Sequence, residues 1–173
     1  MRGYTLQEFM IVLLLGALIA AVGIPIAREA YSDLEDADFS KLLELIITTG
    51  RSNYEQSTSY VGITKDEIVP NLPQKWILNG TDIRHPLNGT ITVAADATDN
   101  TRMRLVVSVL RPDTCRRVIL TSWPLIDAIA VSNSVLGTGT TDVKTVVGQT
   151  MPSEATLTTV CTINTRSVVL LSD

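Results

Sequence analysis

Residues 9–27 form a run of 19 residues with no charged side chain and no Ser, Thr, Asn or Gln. A helix over that run would be roughly 28 Å long, about the thickness of a bilayer's hydrocarbon core. Glu8 and Arg28 mark its two ends. One reading is a secretory signal, which has a basic start, a short apolar stretch and a small-residue exit site. Ala20, Ala21 and Gly23 could serve as that exit, but Arg2 is the only basic residue before the run. Glu8 also stands at the entrance, where a signal carries positive charge. A single-pass signal anchor is the second reading.

The helical pattern does not stop at Arg28. Leu34, Leu42, Leu45, Ile46 and Thr49 recur at three- and four-residue spacings, with Phe39 alongside. Glu29, Asp33, Glu35, Asp36, Lys41 and Glu44 fall mostly on other sides. No proline lies between Ile26 and Gly50, and Gly50 is a plausible terminator. One helix over residues 4–50 accounts for this, membrane-like through 27 and amphipathic over 28–50. Pro25, with Gly23 and Gly16 nearby, should kink it or melt it locally. A simple anchor does not need a rod running from lipid into a folded domain. A filament subunit does.

At 173 residues the chain allows one ordinary domain plus an appendage. Its formal charge is −4, and no basic run interleaves with aromatics, which argues against nucleic-acid binding by the single chain. Cys115 and Cys161 both lie beyond the apolar run. An even count on an exported side suggests a disulfide; two buried free thiols in a cytosolic protein are the alternative.

Beyond Gly50 the pattern becomes mostly β. Residues 51–58 read as helix end or loop, and 66–73, with two prolines, as a turn-rich connection. Strand candidates are 76–78, 90–94, 104–110, 126–131, 143–147 and 167–171. Asn79-Gly80 and Asn88-Gly89 are turn signals. Each also matches the N-glycosylation pattern with the following threonine, but the turn explains it better. A short helix over 112–120 would be capped by Asp113 or Thr114. Residues 137–141 read as a flexible surface loop without the spacing of a phosphate loop. The expected class is α+β, a long helix laid on an antiparallel sheet.

Site chemistry is sparse. His85 is the single histidine, and without ligand-spaced neighbours it reads as a turn residue, not a metal ligand. No nucleophile has a marked partner, and the adjacent Asp66 and Glu67 would diverge. Arg102, Arg104, Arg111, Arg116 and Arg117 form the densest basic cluster, suited to a solvated face or to contacts between subunits. No catalytic residue, metal or cofactor is expected, and the chain does not read as an enzyme.

The segment Gly3-Tyr4-Thr5-Leu6-Gln7-Glu8-Phe9-Met10-Ile11-Val12 resembles the processing site of type IV prepilins. In that family a membrane peptidase cuts after the glycine and methylates the new N-terminal amine, and a glutamate stands fifth in the mature chain. The resemblance implies a leader of residues 1–3, shorter than is usual, a cut between Gly3 and Tyr4, N-methylation of Tyr4, and Glu8 as the assembly glutamate. Gly16, Gly23 and Pro25 match the family's helix break. Tyr60-Val61-Gly62-Ile63, and His85-Pro86-Leu87-Asn88-Gly89 leading into Thr90-Ile91-Thr92-Val93, resemble elements of the type IVb branch, which includes bundle-forming and conjugative thin pili. That branch implies a globular head over 51–173 whose C-terminal region is bounded by a Cys115–Cys161 disulfide.

The resemblance further implies a major pilin held in the inner membrane as a single-pass protein with a periplasmic head. It would polymerise with itself into an extracellular filament for adhesion, aggregation or mating contact. Its partners would be a prepilin peptidase and the assembly ATPase and platform. A minor pilin or secretion pseudopilin, and a signal-anchored periplasmic enzyme or binding module, are the alternatives. An unpaired Glu8 carboxylate in an apolar environment costs several kcal/mol. Pairing with the Tyr4 ammonium, on the same or a neighbouring subunit, neutralises both. A glutamate snorkelling to the headgroups is the other reading.

Overall fold

The computed structural model describes residues 6–134, 136–138, 140–144 and 149–172. Gly3 and Tyr4 lie outside the described residues, as do 145–147 of the strand expected over 143–147. The chain divides into two compact units, Met1–Glu35 and Asp36–Asp173.

Helix α1 spans Leu6–Tyr54, so it contributes to both units. Pro25 lies inside it, and the helix continues through. The local melting expected at Pro25 is therefore absent: a proline removes one N–H donor, and the flanking turns carry the helix across the gap. The helix also runs past Gly50, the expected terminator, to Tyr54. Gly50 is buried, and a β-carbon there would stand 2.7 Å from Met103 Sδ. Its small size serves close packing on the sheet, not a helix end.

Within the second unit the buried stripe of α1 is Phe39, Leu42, Leu43, Ile46 and Ile47. The expected stripe was slightly rotated: Leu34 is exposed, Leu45 and Thr49 are half-buried, and Leu43 and Ile47 take the core positions. Two adjacent pairs every three to four residues make the broad face a helix needs on a sheet, wider than a coiled-coil seam. Each of these side chains contributes about 1.5–3 kcal/mol by leaving water.

After α1 come α2 (Lys65–Ile68) and two single 3₁₀ turns, Val69–Asn71 and Gln74–Trp76. Seven strands follow: β1 (Ile77–Leu78), β2 (Asp82–His85), β3 (Gly89–Ala95), β4 (Met103–Ser108), β5 (Ala128–Ser132), β6 (Thr140–Lys144) and β7 (Ser167–Ser172). Helix α3 (Pro112–Ser122) precedes β5, and α4 (Glu154–Val160) precedes β7. All pairings are antiparallel, in the order β1-β2-β3-β4-β7-β5-β6. The α+β expectation holds, with α1 packed on the antiparallel sheet.

Several local expectations change. Strand β2 and helix α4 had no counterpart in the sequence reading. Pro112 opens α3 with Arg111 at the N-cap, so neither Asp113 nor Thr114 caps it. Proline is suited to the first helical position because its fixed φ is already helical. The 137–141 segment is less free than expected, since Thr140 and Thr141 belong to β6. Gly137, with φ of +69°, lies against the sheet's outer face: a β-carbon there would be 2.8 Å from Val169 and from Arg104. Arg104 Nη2 donates to the Gly137 carbonyl at 2.6 Å, covering the small outer cluster of Val106, Ala130 and Val169.

The β2–β3 turn is tightly built. A β-carbon on Gly89 would fall 2.7 Å from Ser108 Oγ and inside contact distance of His85 Nε2 and the Ser108 carbonyl. Gly89→Ala should therefore destabilise the head by about 3 kcal/mol, because backbone must move. Gly80→Ala meets open space and should cost only about 1 kcal/mol, through its φ of +79°. Denaturant midpoints of the two variants, compared with the parent chain, check this ranking.

Candidate functional site

In the first unit the described side chains from Leu6 through Ala27 are all exposed. Leu6 is 81% exposed and Leu18 63%, and Phe9, Leu13, Leu14, Ile19 and Val22 are similarly open. No part of the most apolar window is buried, and the helix is long and apolar enough to cross a membrane. Scattered exposed apolar residues are ordinary; a continuous apolar cylinder is not, and it requires lipid or other protein around it.

Glu8 stands in the first described turn of α1. A β-carbon on Gly16 or Gly23 would meet nothing within 4 Å, so no contact among the described residues explains these glycines. With Pro25 they are the least helix-favouring residues of this half.

In the second unit Cys115 on α3 and Cys161 at the end of α4 form a disulfide with a Cα separation of 5.7 Å. Helix α4 is only seven residues long, capped by Ser153, whose Oγ accepts from Thr156 N–H. Leu157 is its one buried side chain, so the disulfide supplies much of its attachment. The crosslink spans a sequence separation of 46, for which chain entropy predicts about 4 kcal/mol.

The arginine cluster is dispersed by the fold. Arg116 pairs with Asp113, and Arg117 donates from Nε to Asp36 at 3.0 Å, tying α3 to α1. Arg102 lies 3.6 Å from Asp99, and Arg104 holds the outer loop. No single basic face results. Lys144, unremarked in the sequence, is 5% exposed and donates to the carbonyls of Trp123, at 2.7 Å, and Ile126. Among the described residues, no group of three His, Cys, Asp or Glu side chains could hold a metal.

His85 ends β2 and is fully buried, so it is a core residue and not a surface turn. Its ring packs edge-on against Phe39 at 5.6 Å, and Nε2–H donates to the Ser108 carbonyl at 2.9 Å. Nδ1 has no hydrogen-bond partner among the described residues. A buried neutral ring with one satisfied nitrogen resists a second proton.

The comparisons bear on this arrangement. No family model matches the chain, and no curated protein matches it. Among solved structures, the crystal structure of TcpA, a type IV pilin from Vibrio cholerae El Tor biotype, matches with a TM-score of 0.55 at 10% identity. The match covers 81% of this chain and 99% of that one. The fold is a pilin fold. The pilin fold accounts for the long helix with its half-buried, half-exposed character, the antiparallel sheet, and the disulfide in the C-terminal region.

Two measurements test the head of this pilin fold. Burial lowers the His85 pKa from 6.5, with Arg84 adding to the effect and the Ser108 hydrogen bond opposing it. A depressed histidine contributes stability that is present above the unfolded pKa and lost as pH falls below it. Lowering the pH from about 7.5 to about 5.5 should destabilise the parent more than His85→Gln, which has no such titration. Equal losses in the two denaturant curves would contradict this. Separately, replacing Cys115 and Cys161 together by alanine should lower unfolding free energy by about 4 kcal/mol, read in the same way without reductant.

Proposed function

We propose that this chain is a structural subunit of a type IV pilus. The observation that carries this is a pilin-fold head continuous with a helix whose apolar first half is uncovered over its whole circumference. Lipid covers that half before assembly, and the same half of other copies covers it in the filament. Inner-membrane residence with a periplasmic head, and then an extracellular filament, follow from those two environments.

The finer reading is a major pilin of the type IVb branch, serving adhesion, aggregation or mating contact. A prepilin peptidase cuts between Gly3 and Tyr4 and methylates the Tyr4 amine, and an assembly ATPase and platform extrude the filament. Gly16, Gly23 and Pro25 weaken the helix so that it can adjust its local structure when it leaves lipid for the filament core. Glu8 pairs with the Tyr4 ammonium of a neighbour, because each charge alone is expensive in an apolar core.

Glu8→Gln tests the pairing, since it removes charge and keeps shape. Mature variant subunits should accumulate in the inner membrane, and surface filaments should fall roughly tenfold or more, as for loss of about 1.4 kcal/mol per contact. Mass spectrometry of sheared parent filaments should find this chain as their main protein with Tyr4 at its N-terminus. Filaments of normal number from the Glu8→Gln strain would rule out the pairing. An intact Met1 would rule out the cleavage, and its presence only as a trace component would assign it to a minor or pseudopilin role.

A further inference from the structure

The tetrapeptide Leu-Asn-Gly-Thr occurs twice, at residues 78–81 and 87–90. Asn79 and Asn88 both take left-handed backbone, with φ of 54° and 63°. Each lies in a turn closed by a backbone bond of 3.2 Å, Thr81 N–H to the Leu78 carbonyl and Asn88 N–H to the His85 carbonyl. The tetrapeptide is the same at both places, but Asn79 and Gly80 are the central residues of their turn whereas Asn88 closes its own, so any difference in reactivity comes from the fold.

An Asn-Gly bond carries its own reactivity. The glycine nitrogen, unhindered by a β-carbon, can attack the asparagine side-chain carbonyl carbon after giving up its proton. A ring carbon–nitrogen bond forms, the side-chain carbon–nitrogen bond breaks, and the nitrogen leaves as ammonia. Water then opens the cyclic imide at either carbonyl, leaving aspartate or isoaspartate. Closing the ring requires the backbone to rotate out of the turn, so the reaction follows the frequency of local opening.

The surroundings of the two turns differ. Leu78 to Thr81 are all exposed, and nothing lies within 4 Å of a β-carbon placed on Gly80. Strand β1 is an edge strand of two residues, held through the pairs Ile77–Ile83 and Leu78–Asp82. At the second copy Leu87 is buried and Gly89 begins β3, paired with His85 and pressed against Ser108. Thr90 N–H donates to Ser108 Oγ at 2.7 Å, and Arg84 Nη2 donates to the Asn88 side-chain carbonyl at 3.4 Å. Opening this turn would break into the core around His85.

We propose that Asn79 is a site of spontaneous deamidation in the folded protein, and that the fold protects Asn88. The product places a carboxylate three residues from Asp82, adding one negative charge to that edge. Isoaspartate also inserts a methylene into the backbone of a turn whose strand has only two pairs, so β1 loses its register. The outer edge of the sheet thus changes with time after folding, while the β2–β3 corner does not.

The test uses the full chain in detergent, incubated folded at mildly alkaline pH, with a parallel sample unfolded in denaturant. Trypsin separates the sites, because Lys75, Arg84 and Arg102 bound one peptide over 76–84 and another over 85–102. In the folded sample, conversion at Asn79 should exceed that at Asn88 by on the order of tenfold or more, as two turns of different opening frequency would give. In the unfolded sample the two should convert at equal rates. Equal conversion in the folded sample would overturn the proposal. So would resistance of Asn79 in the folded sample when the unfolded chain converts at both sites.

Discussion

A single helix here faces two incompatible surroundings, and the rest of the structure follows from that constraint. From Phe39 to Ile47, apolar side chains on one face of α1 are removed from water by the sheet. From Leu6 to Ala27 they surround the helix and are exposed among the described residues. The Phe39–Ile47 part of the helix obtains its stability from tertiary packing, which is how most helices in folded proteins persist. The second environment has to come from outside these residues, so a helix of this design completes its burial only in a membrane or against other protein.

The sheet is arranged to receive that helix. Its middle is formed by β4, β7 and β5, which are buried on most positions of both faces. The inner face carries Met103, Leu105, Val107, Val168 and Leu170 to the α1 stripe. The outer face is closed by the Gly137 loop, where absence of a β-carbon lets backbone approach Val169. Because β7 sits between β4 and β5, the sheet cannot be completed until β7 is in place. Such long-range pairing is slow to form, and the Cys115–Cys161 crosslink holds the intervening segment in reach of its position.

Glycine and proline recur in this molecule with different physical meanings. Gly50 and Gly89 permit close approach, Gly80 has positive φ, and Gly137 combines the two. Gly16, Gly23 and Pro25 touch no core, and their effect is to lower the stability of an already exposed helix. A glycine's identity in the sequence does not separate these cases, which is why Gly50 read as a terminator although it is a packing residue.

The sequence alone determined the long helix, the mostly β head, the cysteine pair as a disulfide candidate, and the resemblance to pilins. These rest on local information: a charge-free run, three- and four-residue spacing, and turn dipeptides. It also placed β3, β4 and β7 to within a few residues. Tertiary structure decided the strand order, the central position of β7, and the burial of His85 and Lys144. It also scattered Arg102, Arg104, Arg116 and Arg117 among separate partners, Asp36 and Asp113 among them. Those outcomes depend on pairings between residues far apart in the chain, and a strand carries no record of which neighbour it will meet. Two identical Leu-Asn-Gly-Thr segments make the point most simply: one closes an exposed edge and the other is built into the core, because only the surrounding strands differ.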